Sequence, residues 1–460
     1  MSTIGFIHEL TFETMPDEVV RQAKRCLLDL VGVAASGVRT DLSRIARNFA
    51  IRQIGASERG ARILFDGRRA SPAGAAYAGA ATIDAFDAHD GHALTKGHAG
   101  VAVLPALLAV TDAGERIDGR EFLLCLVFGY EIATRAGIAL HASAGDYHSS
   151  GAWNALGCAA IAARLLGLDA AATRHALGTA EYHGPRSQMM RCIDHPTMLK
   201  DGSGWGALAG VSAAYLAADG FTGAPAITVE AEEHRSIWSD LGTRWRILEQ
   251  YHKPHAVCRW AQPAIEAADT LMKRYDIRPD RIAEVRVETF EAAVRLGCRA
   301  PATTEEAQYA LGFPLAAMLV HRRIGAAEIA DGGLRDADVL RMAQRIVLQE
   351  NEAFTRRFPT ERVALVTIEE VDGTTVTSDL TTARGDPEGA LDDDELLSKF
   401  RTLADGLDER RRYIEIAILD LDQRDAALEI LLESILTTCS GANSRNDKGI
   451  FGRGINTAGG

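Results

Sequence analysis

Residues 202–218 read GSGWGALAGVSAAYLAA, with glycine and alanine on every side of a 3.6-residue repeat. A segment so poor in bulky side chains becomes a stable helix only if its neighbours come close enough to bury it almost at backbone level. Residues 75–86, AAYAGAATIDAF, have the same character, and 104–112, 119–136, 152–166 and 170–180 are further apolar or alanine-rich runs that read as helices. Aromatics make up only 6% of the chain, which argues for closely packed helices over a β-sandwich. Upstream, Pro16 opens a helix in which Val19, Val20, Ala23, Cys26, Leu27 and Leu30 recur at helical spacing, and Gly37 closes it.

The pattern changes near residue 280. In RIAEVRVET, Ile282, Val285 and Val287 alternate with polar residues as in a strand. Residues 363–369 and 374–379 form a second strand pair across Val371-Asp372-Gly373, a strong hairpin signal. Residues 307–321 between them are apolar and predict one helix. After Asp386-Pro387-Glu388-Gly389 the chain turns helical again, with acids opening the run DDDELLSKFRTLADG, and residues 425–437 predict a last helix. The expectation is a mainly α protein with a large all-helical domain and a smaller α+β domain. The first part of the helical domain takes residues 1–258 and the α+β domain 259–392. Helices in 393–440 return to the helical domain, and a Gly/Asn-rich tail at 441–460 is read as disordered.

With 50 Lys and Arg against 63 Asp and Glu, the net charge is −13. A chain this acidic offers no global field to nucleic acid or an anionic membrane, so an anionic substrate would need cations concentrated locally. The seven cysteines form no CxxC pair and several sit in apolar runs, which fits reduced thiols and argues against a zinc ribbon or an iron–sulfur cluster. The N-terminus lacks a basic leader region and the apolar stretch 100–110 is too short to span a bilayer, so a cytoplasmic protein without membrane contact is expected.

Four segments concentrate reactive side chains. From Asp84 to His98 lie Asp87, His89, Asp90, His92 and Lys96, a cluster suited either to direct proton transfer or to a divalent metal, although no standard metal spacing such as HExxH is present. Tyr147 and His148 precede a helix start at which Ser149 or Ser150 could be the N-cap and whose amides could attract an anion. Arg186 follows Tyr182-His183, and Lys200 stands just before the Gly/Ser-rich start of residues 202–218, in an order that excludes a phosphate loop. Finally, YHKPHAVCRW holds His252, Lys253, His255 and Arg259 with no carboxylate, at the boundary between the helical and α+β parts where clefts form.

Taken in order, these segments resemble the MmgE/PrpD family, whose members include 2-methylcitrate dehydratases. The resemblance rests on DLVGVAASG, the Asp87–His98 stretch followed by AGVAVLPALLA, YHSSGAWNALGCAAIAARLLGLD, LKDGSGWGALAGVSAAYLAADGFTG, HKPHAVCRW and AQYALGFPLAAML. It implies a helical domain with an α+β domain inserted, a homodimer, and lyase or epimerase chemistry on small di- or tricarboxylic acids with no metal or organic cofactor. It also points to Asp87, His98, His148, Lys200 and Lys253 as catalytic. Asp90, His92, Tyr147, Arg186, His255 and Arg259 are the neighbouring candidates for substrate binding. The sequence departs from the family pattern at Gly91 (often Thr), His89 (Asp), Ala99 (Pro), Phe313 (Tyr) and His255 (Tyr), all near the inferred site.

The expected reaction is α-proton abstraction and loss of water from a small carboxylic acid, as in a hydro-lyase. Lys200, Lys253 and Arg186 or Arg259 would hold carboxylates, His98 or His148 would take the proton, and the other histidine or Asp87 would protonate the leaving hydroxyl. Decarboxylation of cis-aconitate and epimerisation of iminodisuccinate are the alternatives within the family. A metal-dependent hydrolase using Asp87, His89, Asp90, His92 and His98 is the alternative from another class.

Overall fold

The computed structural model describes residues 2–56, 60–297 and 300–438. The segment 441–460, read from sequence as a disordered tail, lies outside the described residues. The fold is mainly α, and its core is a stack of apolar helices: Pro72–Asp84, Gly100–Ala113, Gly119–Ser143, Gly151–Leu165, Ala170–His183 and Ser203–Ala218. Small residues set the spacing of this stack. A methyl group on Gly210 would lie 2.2 Å from the Ala155 carbonyl oxygen and 2.6 Å from Cys158 Cβ, so Ser203–Ala218 and Gly151–Leu165 touch through their backbones.

Helix Gly119–Ser143 has the length and mean hydropathy to cross a bilayer, which the sequence reading had overlooked. Of its most apolar 18-residue window, 94% is buried inside the protein. It also carries Arg135, ion-paired with Glu131 at 3.2 Å and bonded to Asp240. These are the marks of a core helix.

The α+β part holds a five-stranded sheet. Ile282–Thr289 pairs in parallel with Ile346–Glu350 and antiparallel with Val363–Glu370, which is flanked in turn by Thr375–Thr377 and Thr381–Thr382. The inward residues Val285, Val287, Val366 and Ile368 are buried, and helices Gln262–Tyr275 and Gly312–His321 pack on the sheet. The single helix expected over 307–321 is in fact two, Thr304–Gln308 and Gly312–His321. The chain is diverted where Leu311 and Gly312 both donate to the Gly297 carbonyl. Pro314 falls in the first turn of the second helix, where its missing amide breaks no bond of the helix.

The C-terminal helices Asp393–Leu403 and Arg410–Leu419 lie along Asp17–Gly37. There Gly32 leaves room for Phe400, and Lys399 pairs with the buried Asp29 at 2.5 Å. The N-terminal helix Thr3–Glu9 and Arg410–Leu419 were not foreseen from the sequence.

The glycine contacts give a direct test of the helical stack. Gly210→Ala should destabilise the protein by about 1–3 kcal/mol, because the helices must separate to admit the methyl group. A lower urea midpoint with an unchanged slope is the expected result, and an unchanged midpoint would show slack between the two helices.

Candidate active site

Gly91–His92 pairs antiparallel with Gln250–Tyr251, and this short ribbon fastens the Asp84–His98 loop to the crossover that carries Lys253. A side chain at position 91 has no room there. Its Cβ would stand 2.5 Å from the Tyr251 hydroxyl and 2.6 Å from His98 Nδ1. The ribbon brings Lys253 Nζ to 2.5 Å from Asp87 Oδ1 and within 3.3 Å of the Asp87 carbonyl, with both side chains almost wholly buried.

His98 sits on the far side of the same loop. Its Nδ1 faces the Asp90 carbonyl at 2.5 Å. A carbonyl only accepts, so Nδ1 carries the proton and Nε2 presents a lone pair. Nε2 lies 3.6 Å from Asp201 Oδ2, which accepts a hydrogen bond from Ser150 Oγ at 2.9 Å. Ser150 Oγ in turn accepts from the His98 amide at 3.0 Å. The His89 ring meets His98 edge-on at a centroid distance of 4.3 Å, and its Nε2 lies 3.7 Å from Asp84 Oδ1.

Lys200 enters from the turn ahead of Ser203–Ala218 in a left-handed backbone conformation (φ 49°), uncommon for a residue with a side chain and costly unless the surroundings enforce it. Its Nζ donates to Gln308 Oε1 at 2.7 Å and lies 4.6 Å from the centre of the Tyr309 ring. Gln308 Oε1 also accepts from the Asp87 amide at 2.8 Å, so Gln308 links Lys200 to the Asp87 loop. Asp87, His98, Lys200 and Lys253 thus share one buried cluster. Asp84, Asp201, Ser150, Gln308 and Tyr309 belong to it as well. Asp84 and Asp201 adjoin residues the sequence singled out, whereas Gln308 and Tyr309 carried no signal beyond their place in AQYALGFP.

Other candidates are placed elsewhere. His148 stands at the margin, with its amide donating to His141 Nε2 at 3.2 Å and its ring stacked on His141. Among the described residues, none of its hydrogen bonds, ion pairs or ring contacts reaches Asp87, His98, Lys200 or Lys253. Asp90 turns its carboxylate away to accept from the Tyr130 hydroxyl at 2.5 Å. His92 Nε2 donates to Glu249 at 3.0 Å, and its Nδ1 accepts from the Leu94 amide, so its ring holds the loop closed. His255 faces Glu266 at 3.4 Å, and Arg259 is neutralised by Asp386 at 2.8 Å. Arg186 is exposed. Tyr147 lies beside the cluster, with its hydroxyl donating to the Lys96 carbonyl.

Helix Gly151–Leu165 does start at the residues expected, but neither serine caps it through its side chain. Ser150 spends its hydroxyl on Asp201, and the Gly151 amide that could have drawn an anion donates to the Asp201 carbonyl instead. The five side chains of the metal alternative are drawn to separate partners. Among the described residues, no group of three or more His, Cys, Asp or Glu is arranged to hold a metal ion.

Burial sets the protonation pattern. Three carboxylates share this interior with two lysines, and desolvation disfavours whichever charges are least well paired. Asp87 is driven against burial to well below the usual carboxylate range by Lys253 and then Lys200. Asp84 and Asp201 are pushed up, first by burial and then by neighbouring carboxylates in the case of Asp201. Burial and the Lys253 charge lower His89 to about 3 and His98 well below its ordinary value, so both imidazoles are neutral at pH 7. The cluster can therefore offer a neutral imidazole base, a protonatable carboxyl beside it, and two buried ammonium groups. A groove of about 980 Å³ between Asp17–Gly37 and the C-terminal helices contains none of these residues.

The chain belongs to the MmgE/PrpD family: the family's N-terminal domain matches residues 3–235 and its C-terminal domain residues 255–423. Similar proteins include a cis-aconitate decarboxylase of Aspergillus terreus, 25% identical over 90% of this chain and 91% of the relative. A cis-aconitate decarboxylase-like protein, oryM, of Aspergillus oryzae is 25% identical over 93% of this chain and 95% of its own. The human cis-aconitate decarboxylase is 30% identical over 47% of this chain and 45% of its own length.

Asp90 provides a pH test of this interior. Burial, and then Asp29, raise it to about 7, against an unfolded value of about 3.9. Between those values the native state keeps a proton that the unfolded state has lost, so this group subtracts stability progressively as pH rises through the window. Asp90→Asn should therefore gain on the wild type between about pH 4 and pH 7, by up to roughly 1.4 kcal/mol per pH unit, with a constant difference above. Urea titrations across that range check it, and a pH-independent difference would show Asp90 ionised in the native state.

Proposed function

We propose that the protein is a lyase that acts on a small di- or tricarboxylic acid by moving a proton at a carbon next to a carboxylate. The observation that carries this reading is the buried pair of His98 Nε2 and Asp201 set beside Lys200 and Lys253. Such a carbon gives up or accepts a proton only if the negative charge that develops is held. Fixed ammonium groups in a water-poor interior hold it far better than water does.

The names of the similar proteins favour a substrate of the cis-aconitate type. Loss of CO₂ from the CH₂-carboxylate arm leaves the bonding pair to form a new C=C. The former double bond shifts its electrons to the neighbouring CH, which takes one proton and gives a methylene-succinate. In this reading Asp201, whose carboxyl burial pushes up to about 7, supplies that proton beside the neutral His98, and the lysines hold the carboxylate that carries the passing charge.

The neutral lone pair on His98 Nε2 supports a second reading, α-proton abstraction followed by loss of water from a hydroxy-tricarboxylate such as methylcitrate. The two share every residue and differ in which bond to carbon breaks.

Incubation with cis-aconitate, methylcitrate, hydroxysuccinate and iminosuccinate, followed by proton NMR, separates these readings. Consumption of cis-aconitate with CO₂ release, and one deuteron incorporated in D₂O, is the expected outcome. Turnover of methylcitrate with water loss would instead establish the second reading, and no turnover of any of the four would sink the proposal.

The two histidines should separate in kinetics. His98→Gln is expected to lower kcat by about 10²–10⁴ with the melting temperature kept. His148→Gln, altered at the margin, should act mainly on KM. Equal losses of kcat would mean that His148 reaches the reacting atoms.

A further inference from the structure

The interior leaves one cation unanswered that the sequence did not single out. Seven lysine and arginine residues are buried among the described residues. Arg47, Arg135, Arg246, Lys253 and Arg259 each have a carboxylate within 4 Å: Asp66 at 2.6 Å, Glu131 at 3.2 Å, Glu249 at 3.0 Å, Asp87 at 2.5 Å and Asp386 at 2.8 Å. Lys200 and Arg362 have none. An unpaired buried charge is strongly unfavourable. Lys200 acts on Asp84 and Asp87 across the cluster, so Arg362 is the cation that calls for an anion from outside the chain.

Arg362 lies at the entrance to strand Val363–Glu370 of the α+β part, yet it reaches the catalytic loop of the helical part. The residue is only 9% exposed. Among the described residues its one side-chain hydrogen bond is a long one, Nη2 to the Ala93 carbonyl at 3.4 Å, and its buried Nε has no partner. Ala93 directly follows the Gly91–His92 ribbon. The Arg362 charge acts on Tyr147, Tyr251 and Lys96, and the Tyr251 ring lies 6.3 Å from His98. The guanidinium therefore stands on the Tyr251 side of the site, with donors free. Arg186 and Arg259, the sequence candidates for this role, are respectively exposed and already neutralised.

We propose that Arg362 is a substrate-anchoring residue that holds one carboxylate of the acid, with Lys200 holding another, so that the site selects molecules with at least two carboxylates. This inference rests on the lyase reading for the substrate class but not for the presence of an anion site. A planar guanidinium fork suits a carboxylate, and a lysine in its place would keep the charge but lose the paired geometry.

Calorimetric titration of tricarballylate, succinate, propionate and phosphate into wild type, Arg362→Gln and Arg362→Lys tests it, alongside thermal melting of each protein without ligand. Tricarballylate and succinate should bind the wild type and propionate at least tenfold more weakly. Arg362→Gln should lose about tenfold or more in affinity, Arg362→Lys less. Unliganded Arg362→Gln should melt at or above the wild type, since a buried unpaired charge has been removed; a merely structural arginine would give the reverse. Equal affinities in wild type and Arg362→Gln would overturn the inference while leaving the lyase reading intact. Binding of phosphate or succinate but not tricarballylate, lost in Arg362→Gln, would uphold Arg362 as an anion anchor and remove tricarboxylates as substrates. No binding of any anion to the wild type would overturn both.

Discussion

The ion pair between Lys253 and Asp87 is the constraint around which the rest of the site is arranged. Its two partners are separated by 166 residues and come from the loop after Pro72–Asp84 and from the crossover into the α+β part. Burying both charges is costly, and removing either partner would leave the other uncompensated, at about 3–5 kcal/mol. The pair therefore persists only because the surrounding chain holds both segments in register. The Gly91–His92 ribbon does this from one side, and His92 on Glu249 reinforces it. From behind, Lys399 of the C-terminal helix bonds both Asp29 and the Ala88 carbonyl, at 2.5 and 2.6 Å. A residue close to the end of the described chain thus braces the loop between Asp87 and His89. The returning C-terminal helices help hold the Asp87 loop in place, a contact that their distance in sequence conceals.

The same burial shifts the remaining groups toward their neutral forms. With Asp87 charged by its lysine, further anions in the cluster are unfavourable, and Asp84 and Asp201 shift toward their protonated forms. With Lys253 and Lys200 nearby, protonated imidazoles are unfavourable too, and His89 and His98 stay neutral. A site in this condition holds a protonatable carboxyl and neutral imidazoles at short range, with two ammonium groups beside them. The low dielectric that raises Asp201 is also what makes Lys200 effective toward charge developing on a bound acid.

Much of the architecture was legible in the sequence because it follows from local pattern. Helices built of alanine and glycine, the alternation in RIAEVRVET and the Asp-Gly turn each specify an element without reference to the rest of the chain. Asp87, His98, Lys200 and Lys253 could be named because reactive residues were dense there and matched a family's motifs. What failed to show was pairing at a distance. Nothing local marks Arg362 as buried or unpaired, nor Gln308 as the link between Lys200 and the Asp87 loop. In the same way His148 looked equivalent to His98 because both fall in segments that resemble the family's motifs. The structure separates them through the direction each chain takes: Ser150, two residues on, turns inward to Asp201 while His148 remains against His141.

The departures from the family pattern become intelligible as a set once the contacts are known. Where relatives often carry Thr, Gly91 is forced by the Tyr251 hydroxyl, which fills the space a side chain would need. Phe313 removes a phenol from helix Gly312–His321 and is itself fully buried. Tyr309, just ahead of that helix, keeps an aromatic ring under Lys200. His255, where Tyr is usual, is drawn to Glu266 and away from the cluster. None of these three positions takes part in the Lys253–Asp87 pair or in the His98–Asp201 contact. The charged cluster and the packing that surrounds it are thus set by different residues.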